Sequence, residues 1–200
     1  MIEHQVGPGP YPLSFPQESW WFLNQWAPAS PDLSSCVLRL KGVLNLEALQ
    51  HALSEFVGQH DALRTIFQST ENGPVQVVRP PSDRIELPVI DLEDSCAKAE
   101  SRAQQIIEEQ ESRPFDLASD LMLRPTLLRL ASDDHILILI AHHIAFDAWS
   151  REILLRDLET LYRAFQQGQR NPLPEVVRQY ADFAVWQRNL VNRGALQGRL

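Results

Sequence analysis

The sequence predicts an α/β fold, a two-layer mixed sheet covered by helices, and three observations carry that expectation. Ile136-Leu137-Ile138-Leu139-Ile140-Ala141 is a short, continuously apolar run, the pattern of a strand buried on both faces. Strand-like segments alternate along the chain with segments of helical period, as in mixed sheets with helices packed on them. Turn-forming stretches at Asn72-Gly73 and Ser132-Asp133-Asp134 separate two pairs of strand-like segments, so hairpins are expected.

Taken in order, the first sixteen residues contain Gly7, Pro8, Gly9, Pro10, Pro12 and Pro16, a composition that favours extended chain, and residues 1–12 are expected to be a flexible lead-in or linker. Ser14 and Gln17 have capping-box spacing, and Trp20, Trp21, Leu23 and Asn24 continue a short helix before Pro28 and Pro31. Cys36 to Leu40 reads as a strand, followed by a helix capped by Asn45 with Leu46, Leu49, Leu53 and Phe56 recurring on one face. Leu63 to Phe67 and Val75 to Val78 form the first expected hairpin. Ala99, Ala103, Ile106 and Ile107 mark an amphipathic helix, and Leu127 to Ala131 with His135 to Ile140 form the second hairpin. Beyond Phe146 the period is helical again: Leu154, Leu158, Leu161, Tyr162 and Phe165 share a face, with Arg151, Glu152, Arg156, Asp157, Glu159 and Arg163 at polar positions.

Between the buried run and that helix lies His142-His143-Ile144-Ala145-Phe146-Asp147-Ala148-Trp149-Ser150. In open α/β sheets ligands gather beyond the carboxyl ends of strands, which is where this junction falls. An imidazole there can take and return a proton during attack of an amine or alcohol on an acyl carbonyl. Successive strand residues point to opposite faces, so one of the two histidines is expected to be structural. Asp147 could orient an imidazole or hold the junction through an ion pair. The plain alternative is a hydrogen-bonded structural histidine at a strand end. A zinc centre lacks its spacing, since there is no His-Glu-x-x-His and neither Cys36 nor Cys96 has a nearby partner. No Gly-x-Ser-x-Gly elbow occurs, so Ser150 is expected to bond locally.

Composition narrows the classes. Two hundred residues with 44% hydrophobic content suit one soluble domain, and a net charge of -8 argues against a nucleic-acid binder. Two distant cysteines give no disulfide framework and no cationic leader with a long apolar core is seen, so a cytoplasmic protein is expected. The longest apolar run is far short of the roughly twenty residues needed to cross a bilayer.

Four segments, in order, resemble the motifs of condensation domains from nonribosomal peptide synthetases. His142 to Ser150 resembles the His-His-x-x-x-Asp-x-x-Ser signature, with Ala148 where glycine is usual. Leu13-Ser14-Phe15-Pro16-Gln17-Glu18-Ser19-Trp20-Trp21-Phe22-Leu23 is similar to the opening motif, with Pro16 and Ser19 replacing small and basic residues. Gln59-His60-Asp61-Ala62-Leu63-Arg64-Thr65-Ile66-Phe67 is similar to the second motif, with Gln59 and Asp61 for Arg and Glu, and Tyr180 to Trp186 is similar to the fourth.

The resemblance implies a chloramphenicol-acetyltransferase-like lobe over residues 13–200, the N-terminal lobe of a condensation domain. It implies that a C-terminal lobe, absent from this chain, completes a tunnel between the two, so the isolated lobe is expected to be inactive. In the implied reaction the amine of an acceptor on one peptidyl carrier protein attacks the thioester of a donor on another, both held on phosphopantetheine arms, with no cofactor or metal bound by the lobe itself. His143 takes the catalytic role, and His142, Asp147 and Arg64 support it, Arg64 forming a salt bridge to Asp147. Trp149, Tyr180 and Trp186 are expected to be packing residues, and the motif forms resemble the class joining an L-configured donor to an L acceptor. Two other readings accompany this one: a noncatalytic half-domain that binds a partner lobe or carrier, or pairs with itself through an exposed apolar face, and a starter-type acyltransferase of the same superfamily.

Overall fold

In the computed structural model, which describes residues 2, 4, 7, 9–27, 32–93 and 98–192, the elements run β1 (Tyr11–Pro12), α1 (Phe15–Trp26), β2 (Leu33–Lys41), α2 (Leu46–Gln59), a 3-10 turn (Asp61–Arg64), β3 (Thr65–Thr70), β4 (Gly73–Val78), β5 (Val89–Asp91), α3 (Ala99–Ser112), β6 (Leu123–Ala131), β7 (Asp134–His142), α4 (Ala148–Gln166) and α5 (Tyr180–Asn192). The apolar run lies in β7, which is buried from His135 to His142. It sits inside a four-stranded sheet of order β2-β7-β6-β5. β7 pairs antiparallel with both neighbours, while β5 and β6 are parallel and are joined through α3, the long crossover that a parallel pair requires.

Strand period divides the core in two. Leu127, Leu137, Leu139 and Ala141 point to one face and pack against Leu53 and Phe56 of α2 and Leu154, Leu158 and Leu161 of α4. Leu128, Ile136, Ile138 and Ile140 point to the other and pack against Ala103 and Ile106 of α3, with Leu13 and Phe67. The mixed, helix-covered sheet is as expected, with α2 and α4 packed on one face and α3 on the other. Each Leu or Ile so buried contributes about 1.5–3 kcal/mol, and β7 is wholly apolar from Ile136 to Ala141.

A smaller antiparallel sheet of order β1-β4-β3 sits beside this core. Its hairpin turns at Glu71 and Asn72, and Gly73 follows with φ of 108°, a backbone that a side chain would strain. Tyr11 and Pro12 pair with Gln76 and Val75, so the end of the expected lead-in belongs to a sheet; residues 1, 3, 5, 6 and 8 lie outside the described residues. Leu63 belongs to the 3-10 turn, not to a strand, because β3 starts at Thr65. The main chain of Met122 links the turn before the small sheet to the large one: its N–H donates to Leu63 O (2.8 Å) and its C=O accepts from the His142 N–H (3.2 Å).

Helix starts follow their caps. Ser14 and Gln17 form the full capping box on α1, and the Asn45 side chain accepts from the Ala48 N–H at the start of α2. Among the described residues no helix is long and apolar enough to cross a membrane.

Candidate active site

β7 stops at His142 because the chain folds back on that residue twice. The Ala145 N–H donates to His142 O (3.0 Å), and the Ile144 N–H donates to His142 Nδ1 (3.0 Å). Ile144 and Phe146 are buried on either side of the turn, and Asp147 then caps α4. Its Oδ1 accepts from the Ser150 N–H (2.8 Å) and from the Ser150 hydroxyl (2.7 Å). Those bonds, the hydroxyl first, hold the Asp147 carboxyl below its ordinary range. The spacing from Asp147 to Ser150 is therefore that of a helix cap.

His142 is 1% exposed and lies edge-on to the Phe115 ring, with centroids 5.9 Å apart. Because its Nδ1 accepts from a backbone amide, the ring proton sits on Nε2. Burial, and then the neighbouring His143, push its pKa down to about 4, so the imidazole is neutral at neutral pH.

His143 is half-buried, and its main-chain N–H is held by Asp32 O at 2.9 Å. Its Nδ1 lies 3.1 Å from the carbonyl oxygen of Phe146, an atom that can only accept, so Nδ1 carries the proton. In the neutral ring the lone pair then falls on Nε2, which has no hydrogen-bond partner among the described residues. The indole of Trp20, on α1, stacks on the ring with centroids 5.3 Å apart and planes 22° from parallel. An imidazole so arranged can accept a proton at Nε2 and give it back.

The structure brings His142, His143 and Asp147 to one junction but does not bring Arg64 to Asp147. The Arg64 guanidinium pairs with Asp61 and bonds to Arg79 O and, at 3.4 Å, to Gly58 O. The reason is local: Asp61 stands three residues away on the same 3-10 turn, and the Asp147 carboxylate is taken by the first turn of α4. Burial pushes the Asp61 carboxyl up, and Arg64 pulls it back. Trp149 is 75% exposed and is not a packing residue. Tyr180 and Trp186 are partly buried; the Tyr180 hydroxyl meets Ser14 Oγ at 3.1 Å, and the Trp186 ring lies against Phe183. Cys36 is a free, partly buried thiol, and Cys96 falls outside the described residues.

Four participants had no signal of their own in the sequence: Trp20 against His143, the Phe146 carbonyl, Phe115 beside His142, and the Met122 peptide. The Phe146 contact depends on the conformation of the turn, and the other three on how distant elements dock. Trp20 and Phe146 lie within motif-like segments, Phe115 and Met122 outside them.

Residues 8–198 match the family described as Condensation domain. Isonitrile lipopeptide synthase of Mycobacterium tuberculosis is 39% identical over 185 residues, which is 92% of this chain and 7% of that protein. Among solved structures, the X-domain from teicoplanin biosynthesis, in complex with OxyB, superposes with a TM-score of 0.81 at 27% identity over 98% of this chain and 42% of that one. The first condensation domain of the calcium-dependent antibiotic synthetase, in complex with a substrate analogue, gives 0.74 at 26% identity over 85% of this chain and 40% of that one. The chain thus spans a small part of the synthase and about two-fifths of each solved chain. The fold these neighbours share with it is chloramphenicol-acetyltransferase-like.

Proposed function

The chain belongs to the condensation-domain family, and from that premise we propose that it supplies the histidine-bearing half of a site for amide-bond formation in nonribosomal peptide synthesis. The observation that carries the proposal is the His143 ring: Nδ1 is fixed as donor to Phe146 O, and Nε2 is left as a proton acceptor at the end of a buried strand.

In the proposed step a carrier-bound acceptor amine attacks the carbonyl carbon of a carrier-bound donor thioester. The C–N bond forms as the carbonyl π pair moves to oxygen; Nε2 of His143 takes the proton the nitrogen loses. When the intermediate collapses the C–S bond breaks, and the proton passes to the departing phosphopantetheine thiolate. Holding both partners in line supplies much of the acceleration, and the proton acceptor a further factor of about 10²–10⁴. His142, neutral and bonded into the turn, sets where His143 stands. The exposed side chains of Phe22, Trp26 and Trp149 support a further role for this lobe, as one wall of a docking surface for a second lobe.

The test joins this lobe to a second lobe, supplies loaded donor and acceptor carriers, and reads both by intact-protein mass spectrometry. Transfer of the donor to the acceptor, lost in His143→Ala, is expected; equal transfer by the variant removes His143 from the chemistry. A second reading, a noncatalytic lobe that binds a partner protein, draws on the likeness to an X-domain solved with OxyB. It predicts no transfer by the wild-type lobe pair alongside a stable complex with a partner.

A further inference from the structure

The segment that carries Trp20 is anchored at a distance from His143. α1 begins at the Ser14 cap, where the Tyr180 hydroxyl meets Ser14 Oγ. The Phe15 N–H donates to Gln187 Oε1 at 2.8 Å, and Arg188 reaches Leu13 O at 2.7 Å and Glu18 at 2.7 Å while its guanidinium lies 4.2 Å above the Phe15 ring. All of these holds come from α5. They fix the first turns of α1, and so the indole one turn further on, against a ring whose other restraint is the Phe146 carbonyl.

An imidazole tied by one hydrogen bond can still swing about that bond, because Cβ–Cγ rotation is broad for aromatic and imidazole rings. A stacked indole removes that freedom at the cost of little rotamer entropy of its own. We propose that Trp20 is a positioning residue for His143: together with Phe146 O it clamps the imidazole so that Nε2, and not Nδ1, faces the reacting amine. This rests on the catalytic reading of His143, but the clamp itself is a property of the ring and is measurable without turnover. Trp20 touches no reacting atom in this scheme; it acts through His143 alone.

The measurement is long-range ¹H–¹⁵N correlation of the histidine rings in the 200-residue chain, for wild type, Trp20→Leu and Trp20→Phe, set beside condensation by the synthetase that carries each variant. In the wild type His143 is expected as one tautomer, protonated at Nδ1, with ring protons shifted upfield by the indole. Trp20→Leu is expected to lose the shift, mix the tautomers and lower kcat about tenfold, since small misplacements of a catalytic group are costly. The acceptor KM stays within about twofold, because ground-state binding is untouched. Trp20→Phe keeps an aromatic face and restores both the ring signature and most of the rate, which a merely structural loss would not do. An unchanged His143 signature in Trp20→Leu overturns the proposal, and so does a loss of rate that Trp20→Phe leaves in place. His143→Ala, assayed in parallel, keeps the two ideas apart: normal turnover there defeats the catalytic reading, while the ring signature still decides the clamp.

Discussion

At the end of β7 the Nδ1 of His142 accepts a hydrogen bond from Ile144, whereas one residue further on the Nδ1 of His143 donates one to Phe146. The two imidazoles are therefore opposite tautomers, one buried among Phe115 and the strand core, the other half-buried under Trp20. Side-chain chemistry is identical, so the division of labour comes from where the strand ends. The strand-end region is dry and neutral; the turn beside it leaves a lone pair unclaimed. The pair shows how a fold can assign two roles to one residue type by a single step along the chain.

The sharpest attempt to break this contrast is to truncate each ring. His143→Ala is expected to lose at least about a hundredfold in condensation rate while stability moves by less than about 1 kcal/mol. Calorimetry beside the carrier-transfer assay checks both halves, and a large stability loss would erase the distinction.

His142→Ala should behave in the reverse sense, losing about 3 kcal/mol because a cavity opens and the Ile144 amide loses its acceptor. Its pH dependence is a second signature. The folded-state pKa, about 4, lies below the ordinary 6.5, so at falling pH the unfolded chain binds a proton that the fold refuses. The contribution is fully present above the ordinary value and is lost as pH drops toward 4, by roughly 3 kcal/mol in all. Urea melts from pH 7 to 4 should show that slope in the wild type and a flatter one in His142→Ala.

Further from the two rings, Arg64 tests whether the turn region reaches back to the second motif. A double-mutant cycle with Asp61 should give a coupling of about 0.5–3 kcal/mol, whereas Arg64 and Asp147 should be additive to within about 0.5 kcal/mol. Strong coupling to Asp147 would restore the ion pair that the family resemblance implied. The smallest effect is expected at the cap: Asp147→Ala should cost about 1 kcal/mol, and Asp147→Asn, which keeps the acceptor for Ser150, only a few tenths. Equal losses in the two variants, read from thermal melts, would mean that charge and not capping matters there.

Much of the fold is written locally. The apolar run of β7, the recurrence of Leu154, Leu158 and Leu161, and the caps at Ser14 and Asn45 are short-range patterns, and the elements form where those patterns fall, whereas Asp147 reads from sequence as an ion-pair or orienting residue and not as a cap. β5 escapes because three residues after Pro88, partly exposed, have no period to read. The Arg64–Asp61 pair is visible as a spacing of three, yet choosing it over Asp147 needs the knowledge that α4 has already used that carboxylate. The stack of Trp20 on His143 depends on docking α1 across the lobe, which no sequence window contains.

Met122 has a last consequence. This one residue donates its N–H to Leu63, in the turn that leads into the small sheet, and accepts at its C=O from His142, at the end of the large one. It is wholly buried, so no water replaces either bond when it breaks. The two sheets are therefore expected to open together, with amide protons at Met122 and His142 exchanging with solvent only on global unfolding.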